Sequence, residues 1–104
     1  MFFDKKRISI IVEEVYRDEV VKLLEESGAS GFTVYKDIYG KGKSGVRGKY
    51  GGLSEISSNI EIVSITGPEV ADRSLRGLTT LINKGVVLIV HMTDVKVIRN
   101  EYFN

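Results

Sequence analysis

Residues 59–90 read NIEIVSITGPEVADRSLRGLTTLINKGVVLIV, and this stretch decides the fold. Residues 59–65 are rich in β-branched side chains and predict a strand. The run Thr66-Gly67-Pro68-Glu69 predicts a helix start, because proline is tolerated in the first turn and a glutamate there complements the helix dipole. Residues 85–90 are almost wholly apolar, which predicts a central strand. The helix between the two strands would bury a face made by Ala71, Ser74, Leu75, Leu78, Leu81 and Ile82.

A similar strand–helix–strand unit precedes this stretch. Residues 7–12 predict a strand, and residues 15–27 carry apolar side chains at helical spacing. Gly28 is the expected C-cap glycine of that helix, and residues 32–38 alternate as a second strand. Residues 95–98 predict a short last strand or an extension of the preceding one. The order predicts an α+β fold of the ferredoxin-like βαββαβ type, in which two helices cover one face of a four-stranded antiparallel sheet.

Residues 39–57, between the second and third predicted strands, show no periodicity. They hold six of the eleven glycines and a net charge of +3. A long loop without secondary structure in a compact domain is usually functional or disordered. Glycines allow backbone N–H groups to turn toward an anion, and lysine or arginine adds charge at short range, so the segment suits a phosphate or carboxylate-like ligand. The alternative is a mobile, solvated loop. Without a ligand we expect this loop to be flexible.

Length and composition exclude several classes of protein. With 104 residues the chain predicts one domain, residues 1–104. The absence of cysteine excludes a disulfide scaffold and a thiolate metal site. The net charge of +1 gives no argument for nucleic acid, and no apolar run is long enough to span a membrane. We therefore expect a cytoplasmic protein that neither spans a membrane nor binds nucleic acid.

Catalytic or metal-binding clusters are not predicted. His91 is the only histidine and ends an apolar run, which predicts a buried or half-buried structural residue. We expect no enzyme activity, no metal and no resident cofactor. Two positions remain open: Lys84-Gly85 is either an ordinary turn or a cation and bare backbone beside a ligand, and Arg99 is either a surface charge or a phosphate clamp.

Several short stretches together resemble the PII-like signalling proteins, and within them the SbtB and carboxysome-associated branch. The resemblance covers roughly residues 6–99 in order. It is carried by ESGASGFTV at residues 26–34, Gly40-Lys41-Gly42, Val46-Arg47, Asn59-Ile60-Glu61, Lys84-Gly85 and Val97-Ile98-Arg99.

The resemblance implies a homotrimer that binds adenine nucleotides (AMP, ADP, ATP or cyclic AMP) in the clefts between subunits, with bicarbonate as a candidate second ligand. Residues 39–57 would be the family's T-loop, which contacts a target such as a membrane transporter or a carbon-acquisition protein. A closed trimer would also cover the sheet face without helices, which is expected to carry apolar residues from several strands.

The resemblance also implies a set of nucleotide-binding residues. Gly40 and Gly42 would line the phosphates and Arg47 would clamp them. Thr33 would lie near the adenine, and Arg99 would reach in from the next subunit. Further contacts at the phosphates and at the loop before the last strand would come from Lys41, Lys43, Ser44, Lys84 and Gly85.

Two other function classes are open on the sequence. One is a ferredoxin-like regulatory or accessory module that binds a small molecule such as an amino acid. Domains of that kind lack a long, cationic, glycine-rich loop between the second and third strands. The other is an adaptor without any ligand.

Overall fold

A computed structural model of the chain describes residues 1–42, 45–47 and 58–104. Four antiparallel strands form the main sheet in the order β2-β5-β1-β6, and β3 and β4 form a separate hairpin. The predicted ferredoxin-like α+β fold is confirmed. The elements are β1 (Phe3–Glu13), a 3-10 turn (Glu14–Tyr16), α1 (Arg17–Glu26), β2 (Thr33–Tyr35), β3 (Gly40–Gly42), β4 (Gly45–Arg47), β5 (Asn59–Thr66), α2 (Pro68–Asn83) and β6 (Ile89–Val97).

The core lies between the two helices and one face of the sheet. In β1 the buried apolar positions alternate, so Ile8, Ile10 and Val12 share the face that the helices cover. Leu24 of α1 and Leu78 of α2 are almost fully buried in the same cluster. The other side of the sheet is called the open face below, and it carries the intervening positions of each strand.

Both helices end in the same backbone motif, which explains two of the predicted glycines. Gly28 follows α1 with a φ of 105°, and Gly85 follows α2 with a φ of 99°. The N–H of Gly85 donates to the Ile82 carbonyl at 3.0 Å, and the next N–H, of Val86, donates to the Leu81 carbonyl at 3.1 Å. This is the Schellman pattern, in which a left-handed glycine satisfies the last helical carbonyls. The prediction of Gly28 as a C-cap glycine is confirmed.

A third glycine, Gly77, allows α1 and α2 to approach each other. A Cβ atom at Gly77 would lie 2.9 Å from Cγ and Cδ1 of Leu23 in α1. Gly77→Ala should therefore lower the free energy of unfolding by about 1 kcal/mol, because an overpacking cost of about 1–3 kcal/mol exceeds the helix-propensity gain of about 1 kcal/mol. Urea denaturation measures this difference.

Gly31→Ala is the matched control, since a Cβ atom there meets no described atom within 4 Å. Its stability should stay within about 0.5 kcal/mol of the wild type. A Gly77→Ala protein as stable as the control would mean that Leu23 moves aside without cost and that the close approach of the helices does not need glycine.

The last strand differs from its prediction. Residues 85–90 do not form a central strand: β6 runs over Ile89–Val97 as one edge strand paired with β1. The alternative that residues 95–98 extend the preceding strand is confirmed as far as Val97. Val86 and Leu88 pack on the core from the segment before the strand, so their apolar character reflects core contact rather than a central position. His91 lies in this edge strand opposite Ser9 on the open face and is exposed, so the prediction of a buried or half-buried histidine is wrong.

Other element bounds also shift. β2 is limited to three residues instead of 32–38, because Asp37 takes a φ of 57° and interrupts the strand. The chain still returns to the sheet one residue later, where the Ile38 N–H donates to the Asn59 carbonyl at 2.9 Å. Ile82, predicted on the buried face of α2, is 45% exposed.

The segment 39–57, predicted to lack secondary structure, contains the β3–β4 hairpin. The structure describes residues 39–42 and 45–47 of this segment, and residues 43–44 and 48–57 lie outside the described part of the chain. The prediction is therefore wrong for the six residues of the hairpin. Antiparallel pairing of two glycine-containing tripeptides gives no hydrophobic alternation, which is why the sequence pattern did not reveal it. The predicted flexibility of the loop stays a prediction.

Candidate functional site

Most of the predicted site residues that the structure describes lie toward one of two opposite ends of the sheet. The first end, called the hairpin end, is where β1 finishes at Glu13 beside Asn59, the first residue of β5. The β3–β4 hairpin leaves the sheet here, just after Ile38. The turn at Lys84 and Gly85 reaches the same end, because α2 begins after β5 at the far end and runs back. The structure therefore brings the glycine-rich hairpin and the turn before β6 to one end of the fold.

Within the hairpin, the backbone register places Gly40 opposite Arg47 and Gly42 opposite Gly45, with Lys41 opposite Val46. Cα atoms of directly paired antiparallel residues are about 4.5–5.5 Å apart. Two residues predicted to contact phosphate, Gly40 and Arg47, are thus neighbours across the hairpin. Lys43 and Ser44, which the resemblance also assigns to the phosphates, lie outside the described residues.

At the turn before β6, the geometry of Lys84 and Gly85 is accounted for by helix termination. Lys84 is the C-cap residue of α2, and Gly85 supplies the left-handed conformation that ends it. The structure therefore shows the ordinary helix-ending turn that was one of the two interpretations of Lys84-Gly85. A role of Lys84 and Gly85 in ligand binding stays a prediction.

Arg99 lies at the second end of the sheet, just beyond the point where β6 finishes. Thr33 lies nearer the middle of the sheet, because its partner Val63 is itself paired with Ser9 of β1. Thr33 opens β2 opposite Val63 and is exposed. It lines a pocket of about 180 Å³ together with Phe32, Tyr102 and neighbouring residues. Tyr102 comes from the segment that follows β6, which crosses the end of the sheet to reach the β2 side. The complete lining is Gly31, Phe32, Thr33, Val63, Ile65, Tyr102 and Phe103.

Two observations define the path of the segment 98–104. The Ser30 hydroxyl donates to the Tyr102 carbonyl at 2.8 Å, which ties the segment to the residues just before β2. The guanidinium carbon of Arg99 lies 5.1 Å from the centroid of the Tyr102 ring, within cation–π range. Arg99 is thus exposed and packs on an aromatic ring, and its role as a phosphate clamp stays a prediction.

The residues at the hairpin end and Arg99 are far apart within one chain. β6 separates the turn at Gly85 from Arg99, and its nine residues span about 26 Å at the usual rise of a strand. That distance exceeds the length of an arginine side chain. A single ligand of nucleotide size cannot contact both Gly85 and Arg99 in one subunit.

A second depression, of about 500 Å³, lies on the helix side of β1 and β6 near Pro68. Its charged side chains are largely paired across the strands. Lys96 donates to Asp4 at 2.7 Å, and Lys6 pairs with Asp94 at 2.5 Å. The hydrogen bond and positive charge of Lys96 hold the pKa of Asp4 below its ordinary value. Although this depression is the larger of the two, its paired charges make it a poor anion site, and the predicted site residues that the structure describes do not line it.

Among the residues that the structure describes, we find no cluster of three or more His, Cys, Asp or Glu side chains arranged to hold a metal ion. In the same ranges, no helix is long and apolar enough to cross a membrane.

Comparison with known families decides the classification. The family model described as nitrogen regulatory protein P-II matches residues 5–102. The chain belongs to the P-II family. A search among curated proteins finds no match.

Solved structures with the P-II fold extend the comparison. CPII from Thiomonas intermedia K12, bound to ADP, AMP and acetate, has a TM-score of 0.83 at 22% identity and covers 99% of this chain and 97% of its own. The same protein bound to ADP and bicarbonate has a TM-score of 0.84 at 24% identity, with coverages of 100% and 98%. A PII-like signalling protein from Thermus thermophilus has a TM-score of 0.79 at 25% identity, with coverages of 99% and 98%. The fold is thus that of P-II proteins over nearly the whole chain.

Sequence reasoning singled out Arg99 as a candidate but did not predict its contact with Tyr102. The P-II resemblance ended at residue 99, and nothing in the local sequence shows that the following segment returns to the start of β2. The one available signal was an aromatic pair, Tyr102-Phe103, after the last strand.

Proposed function

We propose that this P-II family chain is a non-enzymatic, cytoplasmic regulator that forms a homotrimer and binds an adenine nucleotide in each cleft between neighbouring subunits. The observation that carries the proposal is that candidate residues lie at two opposite ends of the sheet. Gly40, Arg47 and Gly85 lie at the hairpin end, and Arg99 lies about 26 Å away along β6. A ligand that uses both groups has to take them from two subunits.

The open face of the sheet gives independent support for association. Half-buried apolar residues are present there on three strands: Ile11 of β1, Ile65 of β5, and Ile89 and Val95 of β6. They lie beside charged neighbours such as Arg7, so the face is mixed rather than wholly apolar. An apolar patch shared by several strands favours burial against another copy, and a closed ring buries all copies equally.

Chemistry favours a phosphate-bearing ligand. In the proposed site, backbone N–H groups at Gly40, Gly42 and Gly85 approach the phosphates, while Arg47 supplies a planar, bidentate donor. Thr33 lies beside the adenine, and the remaining polar contacts come from Lys41, Lys43, Ser44, Lys84 and the neighbouring subunit's Arg99. CPII, with the same fold, binds ADP and AMP, which supports AMP or ADP, with ATP or cyclic AMP as the other candidates.

Bicarbonate is the proposed second ligand, since CPII also binds bicarbonate together with ADP. Residues 39–57 would act as the T-loop, ordered by the bound ligands and presented to a target. We propose a membrane transporter or a carbon-acquisition protein, including a carboxysome-associated one, as that target.

ADP should raise the melting temperature of the protein. A ligand that binds only the folded state at 100 times its Kd adds about 2.7 kcal/mol of stability, which corresponds to a shift of about 10 °C or more in a chain of this size. Differential scanning fluorimetry with AMP, ADP, ATP and cyclic AMP measures the shift. Light scattering on the same samples measures the mass of the assembly.

Adenosine, GDP and inorganic phosphate are the controls for the base and the phosphates. A shift produced by amino acids but not by nucleotides would favour the amino-acid-binding module, and no shift with any ligand would favour an adaptor. A monomeric mass at micromolar concentration would contradict the intersubunit site.

A further inference from the structure

Arg99 is held against an aromatic ring of its own chain. Its guanidinium carbon lies 5.1 Å from the Tyr102 ring centroid, and both side chains are exposed. A guanidinium at this distance is attracted electrostatically to the face of a tyrosine ring. The contact joins residues only three positions apart, so it forms without any partner subunit.

The ring that receives Arg99 is itself anchored. The Tyr102 carbonyl accepts the Ser30 hydroxyl at 2.8 Å, and the Phe103 N–H donates to the Asn100 carbonyl at 3.3 Å, closing a turn around Tyr102. Tyr102 also lines the pocket beside Thr33. The backbone under the ring is therefore connected both to its own turn and to the segment before β2.

Stacking leaves the chemistry of Arg99 available. The cation–π contact uses the flat face of the guanidinium, whereas phosphate recognition uses the N–H donors in its plane. An arginine can therefore stack on a ring and bind a phosphate at the same time. An unsupported, exposed arginine would lose considerable rotamer entropy when it bound a ligand, and stacking removes part of that freedom in advance.

We propose that Tyr102 is a positioning residue that holds Arg99 ready for an anionic ligand of the neighbouring subunit. This inference rests on the proposed function, because it takes the phosphate of the nucleotide as the group that Arg99 binds. Tyr102 does not itself touch the phosphate in this arrangement, and its hydroxyl is not required.

The test compares two substitutions that differ in the aromatic ring. Tyr102→Leu removes the ring and should weaken ADP binding by roughly threefold to tenfold, the size expected for a cation–π contact that becomes partly desolvated. Tyr102→Phe keeps the ring face and should retain most of the ADP affinity that Tyr102→Leu loses. Isothermal titration calorimetry with ADP measures both, and thermal melting verifies that each variant is folded.

The decisive comparison is the same pair of substitutions in an Arg99→Gln background. If Tyr102 acts through Arg99, Tyr102→Leu has no further effect once Arg99 is gone, so the double-mutant cycle shows full coupling. NMR of the ligand-free protein gives a second readout. The Arg99 Hδ protons should show an upfield ring-current shift that Tyr102→Leu abolishes and Tyr102→Phe retains.

Each other outcome overturns a defined part of the proposal. Wild-type protein that binds ADP but shows the same Tyr102→Leu loss with and without Arg99 would overturn the positioning role alone and assign Tyr102 to the pocket beside Thr33. A loss in Tyr102→Phe equal to that in Tyr102→Leu would show that the hydroxyl is required and would also overturn it. Wild-type protein that binds none of the four adenine nucleotides would overturn the proposed function and this inference together.

Discussion

Replacement of Leu78 by alanine should lower the free energy of unfolding by about 2–5 kcal/mol, the largest stability loss we expect from one truncation in α2. Leu78 is 1% exposed and belongs to the cluster between α2 and the sheet. Its truncation removes apolar contacts and leaves a cavity that rigid strand residues such as Ile10 cannot fill by moving. Urea denaturation at a fixed chain concentration measures the change, because assembly makes stability depend on concentration.

Ile82→Ala is the control, on the same helix and with a side chain of the same size. The sequence pattern assigned both residues to one buried face, but Ile82 is 45% exposed in the folded chain. Its truncation should cost about 0.5 kcal/mol or less. Equal losses at the two positions would mean that Ile82 is buried in the assembled protein, and a small loss at Leu78 would contradict the core described above.

Local physical rules were sufficient for most of the fold. The β-branched content of residues 59–65 and the proline at the start of α2 are local features of the sequence, and the structure has β5 and α2 where these patterns predicted them. Gly28 is another such case, because a left-handed residue after a helix is a local requirement.

Tertiary contacts explain where the sequence rules failed. The apolar run at residues 85–90 has two structural roles. Val86 and Leu88 contact the core from the segment before β6, and only the last two residues of the run, Ile89 and Val90, belong to β6. β6 is at the edge of the sheet, and its continuation through His91 and Asp94 depends on pairing with β1. Periodicity in one segment cannot reveal which partner strand extends it or whether a second partner exists.

The candidate site was predictable only in part for a related reason. The cationic, glycine-rich composition of residues 39–57 indicated an anion-binding segment without any structure. Tyr102 lines the pocket beside Thr33 because the segment after β6 returns to Ser30, about seventy positions earlier in the sequence, and accepts a hydrogen bond from it. No local pattern encodes such a return, and a cleft between subunits depends on surfaces that no single segment contains.

Arg47→Ala should weaken ADP binding by roughly tenfold to a hundredfold, if the proposed site is correct. The register of the hairpin places the backbone of Arg47 opposite Gly40, so both belong to one short cationic, glycine-rich unit. Each hydrogen bond from a guanidinium to a phosphate contributes on the order of 1.5–3 kcal/mol, which sets the expected range of affinity loss. Isothermal titration calorimetry measures it, and the melting temperature without ligand should remain that of the wild type.

Two further variants separate a specific clamp from general attraction. Arg47→Lys keeps the charge but loses the planar fork, so it should recover only part of the affinity. Lys49→Ala removes the same charge two positions further along the sequence and should cost far less than Arg47→Ala. A diffuse cationic field acts on a phosphate through total charge and would weaken binding equally in the two alanine variants. Equal losses would therefore replace the clamp with long-range attraction, and wild-type affinity in Arg47→Ala would remove Arg47 from the proposed site.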